Sequence, residues 1–252
     1  MTRYDRIGVG YARSRHEDPA LAARIHEALG DAATVVNVGA GAGSYEPTDR
    51  HVIAIEPSDV MAAQRSPDRV PAIRAFADDL PLLDGSVDAA MSVLSLHHWD
   101  ESQERGVREL RRVARGPVVL LTLDPVVSSS MWLVADYLPE VGELDRRIFP
   151  TFETLAGWLG GDSEEIVVPI SRDTPDWTLV SFWAHPERVL DADARAATSG
   201  FARMPSAVVE RVDRELRADL ESGRWDERHG HLRELDEYDA GMRLIVSTTR
   251  RS

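Results

Sequence analysis

The feature that most constrains the fold is a short apolar run that leads directly into three closely spaced glycines. Residues 35–38 read Val-Val-Asn-Val, and Gly39, Gly41 and Gly43 follow at every second position. A β-branched run of this length predicts a buried parallel strand, and the glycines predict a tight turn into a helix. Glycine lacks a Cβ, so the backbone there can close over a flat polar ligand. The pattern therefore predicts an α/β sheet with a nucleotide-type ligand site.

The glycine spacing separates two classes of nucleotide ligand. In the dinucleotide fingerprint G-x-G-x-x-G the third glycine would stand at Ser44, but here it stands one residue earlier, at Gly43. A second apolar run, 52–55, ends at Glu56. A carboxylate at the end of a strand can accept hydrogen bonds from a ribose diol, in NAD sites and in S-adenosylmethionine (SAM) sites alike. Glu56 alone leaves both ligands open, whereas the glycine spacing disfavours NAD.

The Val-rich strand, the G-x-G-x-G turn and Glu56 together resemble a class I SAM-dependent methyltransferase of the type 11-like family. The likeness covers roughly residues 4–124 and continues downstream in the segments 79–88, 89–94, 95–99, 109–113 and 116–122. The resemblance implies a doubly wound, Rossmann-like seven-stranded sheet with helices on both faces and a helical lid insertion before the last strand.

The resemblance also implies the organisation of the chain. We expect one methyltransferase domain over residues 1–252, with an N-terminal cap at 1–33, a SAM-binding half at 34–125 and an acceptor-side half at 126–252. The acceptor-side half would contain the insertion, at about 171–241. Within it the sequence patterns predict strands at 165–170 and 242–248 and helices at 127–138, 151–159, 205–220 and 227–238.

The matching positions assign the SAM contacts. SAM would lie across the glycine turn. Glu56 would bind its ribose, and its adenine would lie beside Phe76 and the two residues that follow it. The full set implied for SAM is Tyr11, Arg15, Asn37, Gly39, Ala40, Gly41, Gly43, Glu56, Pro57, Met61, Phe76, Ala77, Asp78, Ser95 and Leu96. Two positions depart from the family, because Asn37 and Phe76 stand where acidic residues are common; Asn37 keeps hydrogen bonding but attracts a cation less. Tyr11 and Arg15 would fold over the methionine end of SAM, or else belong to a surface helix.

The acceptor would approach the segment that follows the fourth strand. His97 and His98 lie there, and a histidine suits proton removal near neutral pH; the alternative is that they only pack or fix the loop. Large aromatics in the variable part of the chain predict a wall for a flat or apolar acceptor, or simply packing of the lid. The candidate substrate-binding residues are Tyr4, Trp99, Trp132, Tyr137, Trp177 and Trp183.

Composition excludes several function classes. The formal net charge of −14 argues against a nucleic-acid partner. The chain has no cysteine, which removes thiolate chemistry, and it contains no lysine, which removes a Schiff base or a P-loop. We predict no metal site, no membrane segment and, because the first 15 residues do not form a signal peptide, a cytoplasmic location.

The resulting hypothesis is a methyltransferase that uses SAM on a small-molecule acceptor, with secondary metabolism as a guess and the methylated atom (O, N or C) open. One alternative is a SAM-binding protein without catalysis that serves as a partner or regulatory subunit. A second is an NAD-type oxidoreductase, and SAM-assisted chemistry other than methyl transfer also stays open.

Overall fold

A computed structural model of the protein describes residues 16–248. The predictions made for Tyr4, Tyr11 and Arg15 lie outside this range. Within it, the elements alternate between strands and helices up to residue 123, as the apolar periodicity predicts.

The central element is a seven-stranded sheet with the strand order β3-β2-β1-β4-β5-β9-β6. The five strands from β3 to β5 pair in parallel, and β9 pairs antiparallel with both β5 and β6. A separate pair joins β7 to β8. The strands are β1 (Thr34–Val38), β2 (His51–Ile55), β3 (Ala72–Ile73), β4 (Ala89–Val93), β5 (Val118–Leu123), β6 (Asp162–Val167), β7 (Ile170–Ser171), β8 (Glu237–Tyr238) and β9 (Met242–Thr248). The predicted seven-stranded Rossmann-like sheet is confirmed.

The helices flank the sheet and fill the segment before the last strand. They are α1 (Pro19–Ala28), α2 (Asp59–Ala62), α3 (Gln103–Val113), α4 (Pro125–Ser130), α5 (Pro139–Ile148), α6 (Phe152–Leu159), α7 (Pro186–Val189), α8 (Ala192–Ala196), α9 (Ser199–Ala202), α10 (Ser206–Glu221) and α11 (Arg224–His229). Among residues 16–248, no helix is long and apolar enough to cross a membrane.

Apolar cores cover both faces of the sheet, because successive strand residues point to opposite sides. In β5, Val119 and Leu121 enter one cluster, whereas Val118 and Leu120 enter the other. The insertion contributes its large side chains, among them the fully buried Trp183, to the first cluster. The segment 171–241 is therefore packed against one face of the sheet.

The helix predicted after the glycine turn is wrong. Residues 39–50 form turns and bends before β2 begins. The Arg65 guanidinium donates to the Gly41 carbonyl at 3.3 Å, and Arg69 donates to the Glu46 carbonyl at 2.6 Å. These side chains satisfy carbonyls that a first helical turn would otherwise use, so the loop is braced from a distant segment.

The acceptor-side half shows further corrections. The predicted helix 127–138 divides, since α4 ends at Ser130 and the π-helix Leu133–Tyr137 follows. The predicted strand 165–170 also divides, because Pro169 cannot donate to a ladder and lies between β6 and β7. The predicted helix 227–238 ends as α11 at His229, followed by a 3-10 helix and β8, and α5 was not predicted at all. By contrast the helix predicted at 205–220 and the strand at 242–248 are confirmed as α10 and β9.

Candidate active site

A cavity of about 600 Å³ opens at the carboxyl ends of β1, β2 and β4. This edge of a doubly wound sheet is where such folds bind ligands. Its lining residues are Asn37, Gly39, Ala40, Gly41, Ala42, Ser44, Tyr45, Glu56, Pro57, Met61, Phe76, Ala77, Asp78, Val93, Leu94, Ser95, His98, Trp99, Asp100, Glu101 and Ser102. The cavity therefore brings together eleven of the thirteen described residues that the sequence assigned to SAM; Gly43 and Leu96 are outside the lining.

Gly39 is required by the close approach of β4. Its φ is +72°, and a Cβ at this position would lie 2.3 Å from Ser95 Oγ. Ser95 is itself fixed, because its hydroxyl donates to the Val38 carbonyl at 3.2 Å and lies 2.6 Å from Ser92 Oγ. Any side chain at Gly39 would displace this hydrogen-bonded group, so the backbone at the cavity wall stays bare.

Asn37 lines the cavity, and its amide is held in a defined orientation. Its Nδ2 donates to Glu46 Oε1 at 3.0 Å, which orients the amide. Its Oδ1 is buried and, among the residues that the structure describes, has no hydrogen-bond partner. Glu46 is held in turn by Arg65 at 2.7 Å, with side chains only 2% and 4% exposed. An acceptor atom without a partner suits a ligand ammonium group, so this wall fits the amino end of SAM.

Glu56 ends β2 and is 6% exposed. Its Oε2 accepts from the Gly41 N–H at 2.8 Å, and its Oε1 accepts from the Ser58 N–H at 2.8 Å. Each carboxylate oxygen can accept more than one hydrogen bond, so the two backbone bonds orient the group and leave it able to receive ribose hydroxyls. The position at the end of a strand was the sequence signal for this residue.

The opposite wall carries an exposed aromatic ring. Phe76 lines the cavity and is 62% exposed, which is unusual for a phenylalanine. Beside it, Asp78 accepts from the Ser102 hydroxyl at 3.0 Å. A flat apolar surface next to a fixed polar group fits adenine. Ser102 and its neighbours Asp100 and Glu101 were missed from sequence; their one signal is that they directly follow Trp99.

The two histidines face different spaces. His98 lines the main cavity, and its Nδ1 lies 2.8 Å from a nitrogen of the Arg203 guanidinium. Because a guanidinium has no acceptor, Nδ1 must accept, and the ring proton of neutral His98 is then on Nε2. His97 is 5% exposed, lies against Phe149 with ring centroids 4.6 Å apart, and lines a second cavity.

This second cavity has a volume of about 60 Å³ and contains a buried acid, Asp145. Burial raises the pKa of Asp145 to about 7, and the positive charge of Arg203 only partly opposes the shift. Leu94 lines both cavities, which makes them neighbours. Among residues 16–248, no group of three or more His, Asp or Glu side chains is arranged to hold a metal ion.

Most of the candidate aromatics lie away from the cavity. Trp132, Tyr137 and Trp183 are at most 3% exposed and belong to the apolar core. The Trp132 indole donates to the Trp183 carbonyl at 2.8 Å, and Tyr137 donates to Asp219 at 2.7 Å. Trp177 packs at the edge of the same core, under the Arg188 guanidinium. The structure thus places these four where they hold the insertion; of the candidates within residues 16–248, Trp99 alone lies in the cavity wall.

Comparison with known proteins agrees with this geometry. A family model described as a methyltransferase domain matches residues 36–121. The structure of a protein assigned as a methyltransferase from an antibiotic biosynthesis pathway of Anabaena variabilis has 32% sequence identity, with 93% of this chain and 99% of that chain covered and a TM-score of 0.85. No curated protein matches the chain.

More distant structures share the fold alone. A SAM-dependent methyltransferase of Thermotoga maritima has 17% identity, with 98% of each chain covered and a TM-score of 0.55. Phosphoethanolamine N-methyltransferase 2 of Haemonchus contortus, solved with SAM, has 13% identity, with 93% of this chain and 54% of that chain covered and a TM-score of 0.54. The sheet order, the family match and the 32% identical relative lead to one conclusion: this chain belongs to the class I SAM-dependent methyltransferases and uses SAM as its methyl donor.

Proposed function

We propose that the protein, as one domain over residues 1–252, transfers the methyl group of SAM to a small-molecule acceptor that enters the 600 Å³ cavity. The observation that carries the proposal is the joint presence of a buried acceptor atom on Asn37, a prepared carboxylate on Glu56 and an exposed ring on Phe76 in that one cavity. These three groups match the amino end, the ribose and the adenine of SAM.

Catalysis in this site would rest on positioning. SAM supplies a methyl group already activated by its positively charged sulfur, so the chain has to orient the acceptor and exclude water. His98 then acts as a hydrogen-bond donor from Nε2, because Arg203 occupies its Nδ1. We therefore propose that His98 positions the acceptor and does not remove its proton. His98→Gln should keep the pH profile of methyl transfer while it raises the KM of the acceptor; loss of an acid limb from the profile would instead identify a base.

A natural-product acceptor is supported by the 32% identical relative, which is assigned to an antibiotic biosynthesis pathway. The formal net charge of −14 disfavours a nucleic-acid acceptor. A cavity of this size is typical of sites for small organic ligands.

The first test is calorimetric titration with SAM, S-adenosylhomocysteine and NAD. We expect the two sulfur compounds to bind and NAD not to bind. Glu56→Ala removes the carboxylate that would receive the ribose hydroxyls, so SAM affinity should fall about 100-fold, which corresponds to two hydrogen bonds to a charged group. Glu143→Gln, an exposed acid on α5, is the matched control and should bind normally.

A screen for transfer from labelled SAM to small molecules then tests the activity. Release of S-adenosylhomocysteine with a methylated product supports the proposal. Tight SAM binding without turnover on any acceptor would instead favour the SAM-binding partner protein, an alternative that the neutral Asn37 keeps open. Binding of NAD alone would contradict the proposal.

A further inference from the structure

The second cavity contains a buried acid that accepts no hydrogen bond from the residues that the structure describes. Asp145 is 7% exposed. Within the part of the chain that the structure describes, no donor hydrogen-bonds its carboxylate, and the one cation that acts on it is Arg203, through space. Arg203 is engaged elsewhere, since it donates to His98 Nδ1 at 2.8 Å and to the His97 carbonyl at 3.3 Å. A buried carboxylate in this state is costly unless a ligand pairs with it.

The cavity has the size and lining for a small cationic group. Its volume of about 60 Å³ is larger than the space a cavity needs to hold one water, about 10–15 Å³. The cavity can therefore hold a group of two or three heavy atoms, such as an aminomethyl group. Apolar walls suit the carbon stem, and the Thr198 and Ser199 hydroxyl oxygens can accept from an ammonium. The lining also includes Phe149, Leu179, Val180 and Met242.

The cavity lies beside the space where methyl transfer would occur. Leu94 lines both cavities, and the consecutive residues His97 and His98 line one each. A molecule with one group bound at Asp145 would have to extend past Leu94 to reach the proposed donor site.

From the unpaired acid, its small cavity and this adjacency, we infer that the methyl acceptor is a basic amine, whose ammonium group is bound by Asp145 while the atom that receives the methyl group lies in the main cavity. This inference rests on the proposed function. It names a substrate class for this chain from the chain's own residues. Asp145 is a binding and positioning residue in this arrangement, because it holds a part of the acceptor away from the reacting atom.

The experiment uses ethylammonium chloride as the probe, with the full-length protein saturated with S-adenosylhomocysteine. The unfolding temperature is measured against probe concentration, with sodium chloride at equal ionic strength and ethanol as the uncharged analogue. We expect ethylammonium, and neither control, to raise the unfolding temperature. Asp145→Asn should weaken the apparent affinity for ethylammonium at least tenfold, whereas Glu143→Gln, on the same helix but exposed, should leave it unchanged.

Three results would overturn the inference: no shift specific to ethylammonium, an equal shift in Asp145→Asn, or a shift with ethanol as large as with the amine. The last would show that Asp145 binds neutral groups as a protonated acid. Titration with S-adenosylhomocysteine separates this inference from the proposed function. If the wild type does not bind S-adenosylhomocysteine, the proposed function fails; if it does bind but ethylammonium does not, only the amine site fails.

Discussion

The buried acids beside the donor cavity and the buried acid of the second cavity have different surroundings. On the donor side, Glu46 pairs with Arg65 and Asn37, and Glu56 accepts two backbone N–H groups. On the acceptor side, Asp145 is about as buried but lacks a hydrogen bond among the described residues. The donor side is thus organised by the protein itself, whereas the acceptor side retains a polar group for a ligand to satisfy.

The largest expected effect comes from breaking the donor-side pair. Glu46→Ala leaves the buried Arg65 guanidinium without its carboxylate, and such a loss costs about 3–5 kcal/mol of unfolding free energy. Denaturant unfolding measures it. Glu46→Gln keeps a hydrogen-bond acceptor and should lose less; a loss below about 1 kcal/mol in Glu46→Ala would show that the pair does not hold the glycine loop.

A substitution at the cavity wall should cost somewhat less. Gly39→Ala places a Cβ 2.3 Å from Ser95 Oγ at a φ of +72°, so strain and displacement together should cost about 2–3 kcal/mol. The matched control is Gly157→Ala in α6, where no atom lies within 4 Å of the added Cβ, and which should gain up to about 1 kcal/mol. Equal stability of the two variants would contradict the steric argument.

The acceptor side should respond in the opposite sense, since removal of the Asp145 charge is expected to stabilise the protein. Burial raises the pKa of Asp145 from 3.8 to about 7, so the folded protein holds a proton that the unfolded chain has released. The stability of the wild type therefore falls as the pH rises from about 4 to about 7. Ionisation costs up to about 4 kcal/mol, but an amide introduced at this position would also lack partners.

We therefore expect Asp145→Asn to be more stable than the wild type by about 1–2 kcal/mol at about pH 8, and the difference to vanish near about pH 4. Thermal or denaturant unfolding across this range measures it. Arg203 and His97 are the other charged or titratable groups that act on or line this cavity, and both are retained. A constant difference at every pH would mean that the Asp145 carboxylate has a partner.

The smallest expected effect is on the donor side and concerns ligand affinity. Phe76→Ala removes the ring proposed to contact adenine, and base–aromatic stacking is worth about 1 kcal/mol at an exposed site, so SAM should bind about fivefold more weakly. Calorimetry measures this change. Leu83→Ala, 81% exposed and outside the cavity lining, is the control, and an equal loss in both variants would exclude a specific contact.

The sequence predicts the strands of the donor side well because the information that specifies them is local. The β-branched runs and their flanking glycines predict the first strand to within one residue of β1, and the end of β2 correctly locates Glu56. The arginine side chains that hold the glycine loop cannot be predicted from such a local pattern. Arg65 follows Gly41 by 24 residues, and nothing near Gly41 indicates that a distant guanidinium replaces a helix.

The acceptor side depends on contacts that a sequence pattern does not contain. Asp145 looks like an ordinary acid on a charged helix, and only the packing of α5 against the insertion buries it. From the sequence, the large aromatic residues of this side could form a wall for the acceptor or could simply pack the insertion. Trp183, with no exposed surface, shows how large side chains of an insertion are used first to attach it to the sheet.

The contact between Arg203 and His98 gives the insertion a spectroscopic marker. Arg203 directly follows α9, whereas His98 belongs to the loop after β4, so their hydrogen bond spans the two parts of the molecule. If α9 moved outward, Nδ1 of His98 would lose this donor. The ¹⁵N chemical shift of His98 Nδ1 would then change, because this nitrogen would no longer accept from the guanidinium. Nuclear magnetic resonance of this one side chain would therefore report any displacement of α9 from the loop after β4.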